Sequence, residues 1–130
     1  FCSELFAHAV RHGRYEFYVE PAAGRPLIYI DDAVRALLAL HDAPADNLSR
    51  RVYQVAGTPT TAREMAAAVL ERLPHAEFTY RPEPVRNAIV LSLPLRFDDA
   101  HAVRDWQWAP RYDLPAMTAR MIEELQKETP

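Results

Sequence analysis

The sequence predicts an α/β fold, a small sheet with about five helices, in one unit running over residues 1–130. Two features carry that reading. Helix-period and strand-like segments alternate along the chain instead of gathering into separate blocks, the order of an α/β or α+β domain. The strands are short, roughly four in all and without an internal repeat, fewer than a free-standing doubly wound sheet needs. A chain of 130 residues can bury one core and not two. The set fits better as an appendix to a larger sheet than as a domain complete in itself.

Residues 4–12 read as a helix, with Leu5, Phe6, Ala9 and Val10 forming its apolar pattern and Gly13 as its stop. Tyr15 to Val19 is aromatic and β-branched, the composition of a strand. A turn over Pro21 to Pro26 leads to a second, strongly apolar strand, Leu27 to Ile30. Asp31 and Asp32 stand where a helix N-cap belongs, and Val34, Leu37, Leu38 and His41 follow at helical spacing. After a polar loop, Arg51 to Val55 reads as a strand ending at Gly57. Thr61 and Glu64 form a capping box for a helix whose face is Met65, Val69 and Leu73, closed by Pro74. Glu77 to Tyr80 alternates as a strand, and Val85 to Leu91 is a helix set between Pro84 and Pro94. Asp98 or Asp99 caps a short helix reaching Trp106. Asp113 caps the last helix, where Leu114, Met117, Met121 and Leu125 share one stripe.

Composition removes several classes of function. The net charge is −3, without the clustered basic excess of a nucleic-acid footprint, so no nucleic acid is expected as a partner. Lys127 is the only lysine beside 14 arginines, which leaves little room for lysine chemistry. The single cysteine, Cys2, cannot form an internal disulfide. No apolar run approaches the roughly 20 residues that span a bilayer, so no membrane is expected. His8, Arg11 and His12 interrupt the first apolar stretch, which argues against a signal peptide and leaves the cytoplasm as the default location. The sequence opens on Phe1 and runs straight into an amphipathic pattern, as a piece of a longer chain would. Leu27 to Ile30 and Val85 to Leu93 are too apolar for a free surface, so self-association into a homo-oligomer is expected.

Motifs for chemistry are sparse. The three glycines, Gly13, Gly24 and Gly57, lie far apart, so no glycine-rich turn brings backbone against a pyrophosphate. A P-loop, a GxSxG elbow and an HExxH pair are equally absent. The chain by itself is expected to hold no dinucleotide and to carry no catalytic residue. His8 and His12, four apart on the first helix, could bind a metal with Cys2, but no fourth ligand is placed and no metal is expected. The pairs Asp31–Asp32 and Asp98–Asp99 are explained by capping more simply than by carboxylate catalysis. Trp106, Trp108 and Tyr112 around Pro110 read as a packed corner rather than a stacking platform for a base. Arg25 and Arg86 differ from these. Each lies beside apolar sequence, where a guanidinium suits a phosphate or carboxylate, with a bond to helix-end carbonyls or a nearby acid as the competing role.

Several segments together resemble a known family. Arg25-Pro-Leu-Ile-Tyr-Ile-Asp-Asp-Ala-Val-Arg-Ala36 resembles the strand-to-helix signature at which extended short-chain dehydrogenases, the NAD-dependent epimerase/dehydratase type, enter their substrate domain. Tyr53-Gln-Val-Ala-Gly57, Tyr80-Arg-Pro-Glu83, Arg86-Asn-Ala-Ile89, Asp98-Asp99 and Asp105-Trp-Gln-Trp-Ala-Pro110 are similar to the short-chain L-threonine 3-dehydrogenases. The resemblance covers nearly the whole chain and about the last two-fifths of such an enzyme. It implies a C-terminal substrate-binding lobe whose Rossmann half, with the glycine loop and a Tyr–Lys pair, lies outside this sequence. NAD would belong to the parent enzyme and not to this chain alone. Arg86 is then the residue for an anionic group of a small-molecule substrate, Tyr29 the pocket wall, and Arg25 a match to the arginine that holds a diphosphate in sugar-nucleotide epimerases. A threonine-like amino acid and a sugar nucleotide both remain open as substrate. A non-catalytic binding or assembly module is the reading from a different class.

Overall fold

The computed structural model describes residues 1–128. Helix α1 (Cys2–His12) is followed by β1 (Arg14–Phe17), β2 (Gly24–Leu27) and α2 (Ile30–Asp42). After a single 3-10 turn (Ala45–Asn47) come β3 (Thr58–Thr61), α3 (Ala62–Leu70) and β4 (Glu77–Tyr80), then α4 (Pro84–Ser92), α5 (Ala100–Trp106) and α6 (Leu114–Glu128). The α/β class stands as expected, and the strands expected near Tyr15 and at Glu77–Tyr80 are formed. The strands form two separate pairs among the described residues, where a single small sheet was expected: β1 beside β4, parallel, and β2 beside β3, antiparallel.

The main core follows from the apolar periods. Leu5, Phe6 and Ala9 are buried on α1, Tyr15 and Phe17 alternate inward on β1, and Met65, Ala66 and Val69 line α3. Ile122 brings in α6, with Met121 and Leu125 packed at the margin. Phe17 is fully buried and lies flat on Tyr80, ring centroids 4.9 Å apart, with Tyr15 edge-on at 5.0 Å. Gly13 closes α1 at φ 65°, a left-handed value at which a Cβ costs energy, and turns the chain directly into β1.

Helix α3 begins where the sequence places it. Thr61 Oγ1 accepts the Glu64 N–H and the Glu64 carboxylate accepts the Thr61 N–H. The next two amides, of Ala62 and Arg63, donate to the carbonyls of Ala23 and Pro21, which ties the segment before β2 to this helix. Helix α4 has Pro84 in its first turn and Glu83 as cap, the carboxylate accepting from the Val85 and Arg86 amides. Asp113 Oδ1 accepts from Ala116 and starts α6 as expected.

Three expectations are corrected. The strand at Leu27 to Ile30 lies earlier, at Gly24–Leu27, because it is there that Thr58–Thr61 supplies a ladder. Pro26 and Pro59 face each other in that register, so neither strand loses a donor to an unmatched partner. The strand at Arg51 to Val55 is not formed: the segment has the composition, but no neighbouring strand pairs with it among the described residues, and Val52 is 81% exposed. A strand is defined by its partner as much as by its residues. Asp31 and Asp32 are not N-caps; Tyr29 occupies that position without a side-chain cap bond, and both carboxylates sit inside the first turn. The aromatic corner is also divided. Trp106 and Trp108 pack together at 5.8 Å, while Tyr112 turns away to Tyr29.

Candidate functional site

The connection from β2 to α2 runs along α1 and α6 and leaves a cavity of about 250 Å³. Its wall is apolar, with Phe6, Leu27, Tyr29, Met117 and Met121, and Cys2 presents the one thiol. Burial pushes the Cys2 thiol up. Arg25 lies on β2 opposite Thr60 and forms no ion pair among the described residues.

Tyr29 is 8% exposed. Its ring lies 4.6 Å from Tyr112, and Arg120 of α6 interacts with its hydroxyl. The ring is therefore available as a wall, and the hydroxyl is already engaged.

Arg86 lies in the first turn of α4, exposed, its guanidinium carbon 3.4 Å above the centre of the Tyr18 ring. It too forms no ion pair among the described residues. Helix α4 is held there by polar contacts that the sequence reading missed. The Glu83 N–H donates to the Tyr18 carbonyl, and Asn87 both accepts from the Glu20 N–H at 2.9 Å and donates to the Glu20 carboxylate. Tyr18 in turn contacts Phe1, next to Cys2. Of the three residues singled out by sequence, Tyr29 lines the cavity, while Arg25 and Arg86 are not among its lining residues. The signal that could have found Asn87 is a lone amide one turn into a capped helix, too weak to single out by itself.

Gly24 and Gly57 are spent on internal packing. A Cβ on Gly57 would come within 1.9 Å of the Leu27 carbonyl oxygen, and one on Gly24 within 2.5 Å of that of Thr60. Neither is free to form a phosphate cradle. His8 and His12 stand with rings 5.4 Å apart, His8 packed on Tyr15, whose hydroxyl donates to Glu4. A second hollow, of about 430 Å³, lies against the outward polar face of β1 and β4, where Arg14, Glu16 and Glu77 put charges of both signs into solvent beside Thr79. It gathers no convergent set of donors.

Around α2 the polar groups are organised differently. The Asp32 carboxylate, 1% exposed, accepts from Arg35 at 2.7 Å and from the Arg111 and Tyr112 amides at 2.8 and 2.9 Å. Burial alone would raise this carboxyl; the bonds from Arg35, Tyr112 and Arg111 outweigh it and hold the group below its ordinary range. Asp105 accepts from Arg104, from the Ser49 hydroxyl and amide and from the Tyr53 hydroxyl, and is held well below the usual carboxylate range by those bonds, Arg104 first.

The fold, two short strand pairs packed with six helices among the described residues, can be set beside known proteins. No family model matches the chain. It is 40% identical over 119 residues to the mitochondrial L-threonine 3-dehydrogenase of Bos taurus, covering 92% of this chain and 32% of that protein. It is 30% identical over 126 residues to an uncharacterized epimerase/dehydratase of Staphylococcus haemolyticus, 96% of this chain and 40% of the relative. The structure is similar to a GalE-like L-threonine dehydrogenase from Cupriavidus necator, with a TM-score of 0.88 at 36% identity, over 94% of this chain and 44% of that one. These homologues and structural neighbours are of the extended short-chain dehydrogenase type, and the chain is similar to a part of them. It is similar to L-threonine 3-dehydrogenases and to epimerase/dehydratases, and it spans 32% to 44% of the length of these relatives. No described helix is long and apolar enough to cross a membrane.

Proposed function

We propose that this chain is the substrate-facing part of an NAD-dependent dehydrogenase acting on a threonine-like amino acid, with the cofactor held by a part of the enzyme outside residues 1–130. The observation that carries this reading is the 40% identity to a threonine dehydrogenase over almost the whole chain, with the same fold in a second threonine dehydrogenase. In this reading the unpaired Arg86 guanidinium binds the substrate carboxylate, and Tyr29 and its apolar neighbours close the pocket. The unshared charge of Arg25 favours a second reading, in which the parent is a sugar-nucleotide epimerase or dehydratase and Arg25 meets a diphosphate. The exposed apolar surface of α2 and α4 is covered in the whole enzyme, and the free chain associates with itself. The cytoplasm is the default location of this reading.

The test joins residues 1–130 to the remaining part of a threonine dehydrogenase relative and follows NAD reduction with L-threonine and with a nucleotide sugar. Threonine turnover is expected, with Arg86→Ala weakening it by roughly 10- to 150-fold, the worth of a charge-assisted bond, and Arg25→Ala costing little. Turnover of the sugar nucleotide alone, with Arg25 essential, would exchange the two readings. An inactive chimera that folds and binds NAD but neither substrate would favour a non-catalytic binding module.

A further inference from the structure

Four observations converge on the N-terminus of α2. Asp32 is the only carboxylate in the buried set among the described residues. It spends one oxygen on Arg35, in its own helix, and the other on two consecutive amides about 80 positions away, those of Arg111 and Tyr112. Arg35 closes the ring by donating to the Ala109 carbonyl while lying 5.0 Å over Trp108. Beyond that turn the Tyr112 hydroxyl donates to Asp31 at 3.2 Å, and the Tyr112 ring lies against Tyr29. Tyr29 is the residue that passes this arrangement on to the cavity beside Cys2.

A first-turn carboxylate ordinarily serves its own helix, by capping it or by lying near the positive end of its dipole. Helix α2 takes no side-chain cap bond from Asp32. A buried carboxylate with its lone pairs filled by backbone amides and a guanidinium instead fixes the position of whatever carries those amides, because each unmade bond would leave a desolvated charge or an orphan N–H. Here the carrier is the turn that holds Tyr112.

We propose that Asp32 is a positioning residue for the candidate pocket: by clasping the Ala109–Tyr112 turn to the start of α2 it presses the Tyr112 ring onto Tyr29 and fixes the wall that Tyr29 gives to the cavity. The role of the cavity as a substrate pocket rests on the function proposed above. The clasp itself does not, and its effect is measured without substrate.

Cys2 lines the same cavity and supplies the probe. In the 130-residue chain, alkylation of Cys2 by N-ethylmaleimide is followed at constant pH, together with the nuclear Overhauser contacts between the Tyr29 and Tyr112 rings. Asp32→Ala is expected to remove those contacts and to raise the alkylation rate on the order of tenfold through local opening of the wall. Asp32→Asn keeps an acceptor and should fall between. Tyr112→Ala leaves the backbone amides in place and removes only the ring, so it should raise the rate as Asp32→Ala does, and it serves if the alanine variant at Asp32 fails to fold. Thr61→Ala, a loss of helix capping elsewhere, controls for general loosening and should leave the rate unchanged. Alkylation that stays at its starting rate in Tyr112→Ala, or ring contacts and alkylation that stay at their starting values in a folded Asp32→Ala, would overturn the proposal. An equal rise in Thr61→Ala would overturn it as well. If the rates respond as expected but the chimera binds no substrate, the clasp stands and the pocket assignment falls.

Discussion

The part of the molecule built on α1, β1, α3, β4 and α6 and the part built on α2, residues 49–57 and α5 are held together by different forces. In the first, side chains from five elements meet in one apolar cluster, with Leu5, Phe17, Met65 and Val69 removed from water altogether. In the second, the buried apolar set is Ala36, Ala102 and Trp108, and the long-range ties are the carboxylates of Asp32 and Asp105. Its large aliphatic side chains face outward: Ile30 is 63% exposed and Leu37 70%. An interior stabilises in proportion to the apolar area it removes from water, and this region removes little. It is stitched where the other is packed, which teaches that the two regions of this fold depend on different kinds of contact.

The comparison is sharpened most by removing a core ring. Phe17→Ala should cost about 3–5 kcal/mol, as large-to-small changes at fully buried aromatic positions do, measured by denaturant unfolding. A loss near 1 kcal/mol would mean that the first region is less dependent on its packing than its burial implies.

Acid separates the regions next. Asp32 and Asp105 both have folded-state pKa values below the ordinary carboxylate value. A depressed folded pKa contributes stability that is fully present above the unfolded pKa, near 4, and is lost as pH falls through the folded value. The second region should therefore loosen on acidification below about pH 4. Trp106 and Trp108 both lie in it, so their fluorescence should change at a higher pH than the far-ultraviolet circular dichroism of the whole chain. Coincident transitions would place both regions in one cooperative unit.

A smaller effect is expected at the helix start of α3, where Thr61→Ala should cost roughly 1 kcal/mol in thermal or denaturant unfolding through loss of one side of the capping box. A cost of several kcal/mol would show that the carbonyls of Ala23 and Pro21 depend on that cap for their own placement.

Much of the first region was legible in the sequence, because its elements are specified locally. Gly13 stops α1, Thr61 and Glu64 start α3, and the period of Leu5, Phe6 and Ala9 or of Met65 and Val69 declares which side faces inward. The second region was misread for a physical reason. Its signals are long-range: Asp32 looks like a cap until the amides of residues 111 and 112 arrive, and Arg51 to Val55 looks like a strand although no described strand pairs with it. Arg25, Tyr29 and Arg86 were legible as residue types and through the family resemblance. Their surroundings, with Arg86 over Tyr18 and the Tyr29 hydroxyl engaged by Arg120, come from folding and could not be read from spacing.

Hydrogen exchange of the 130-residue chain, resolved by mass spectrometry into peptides, tests the difference between the two regions most directly. Amides of β1, α3 and β4 should exchange only through global unfolding, while those of α2 and α5 open sub-globally and exchange at least ~100-fold faster. Uniform protection across both sets, with α2 as slow as α3, would contradict the account.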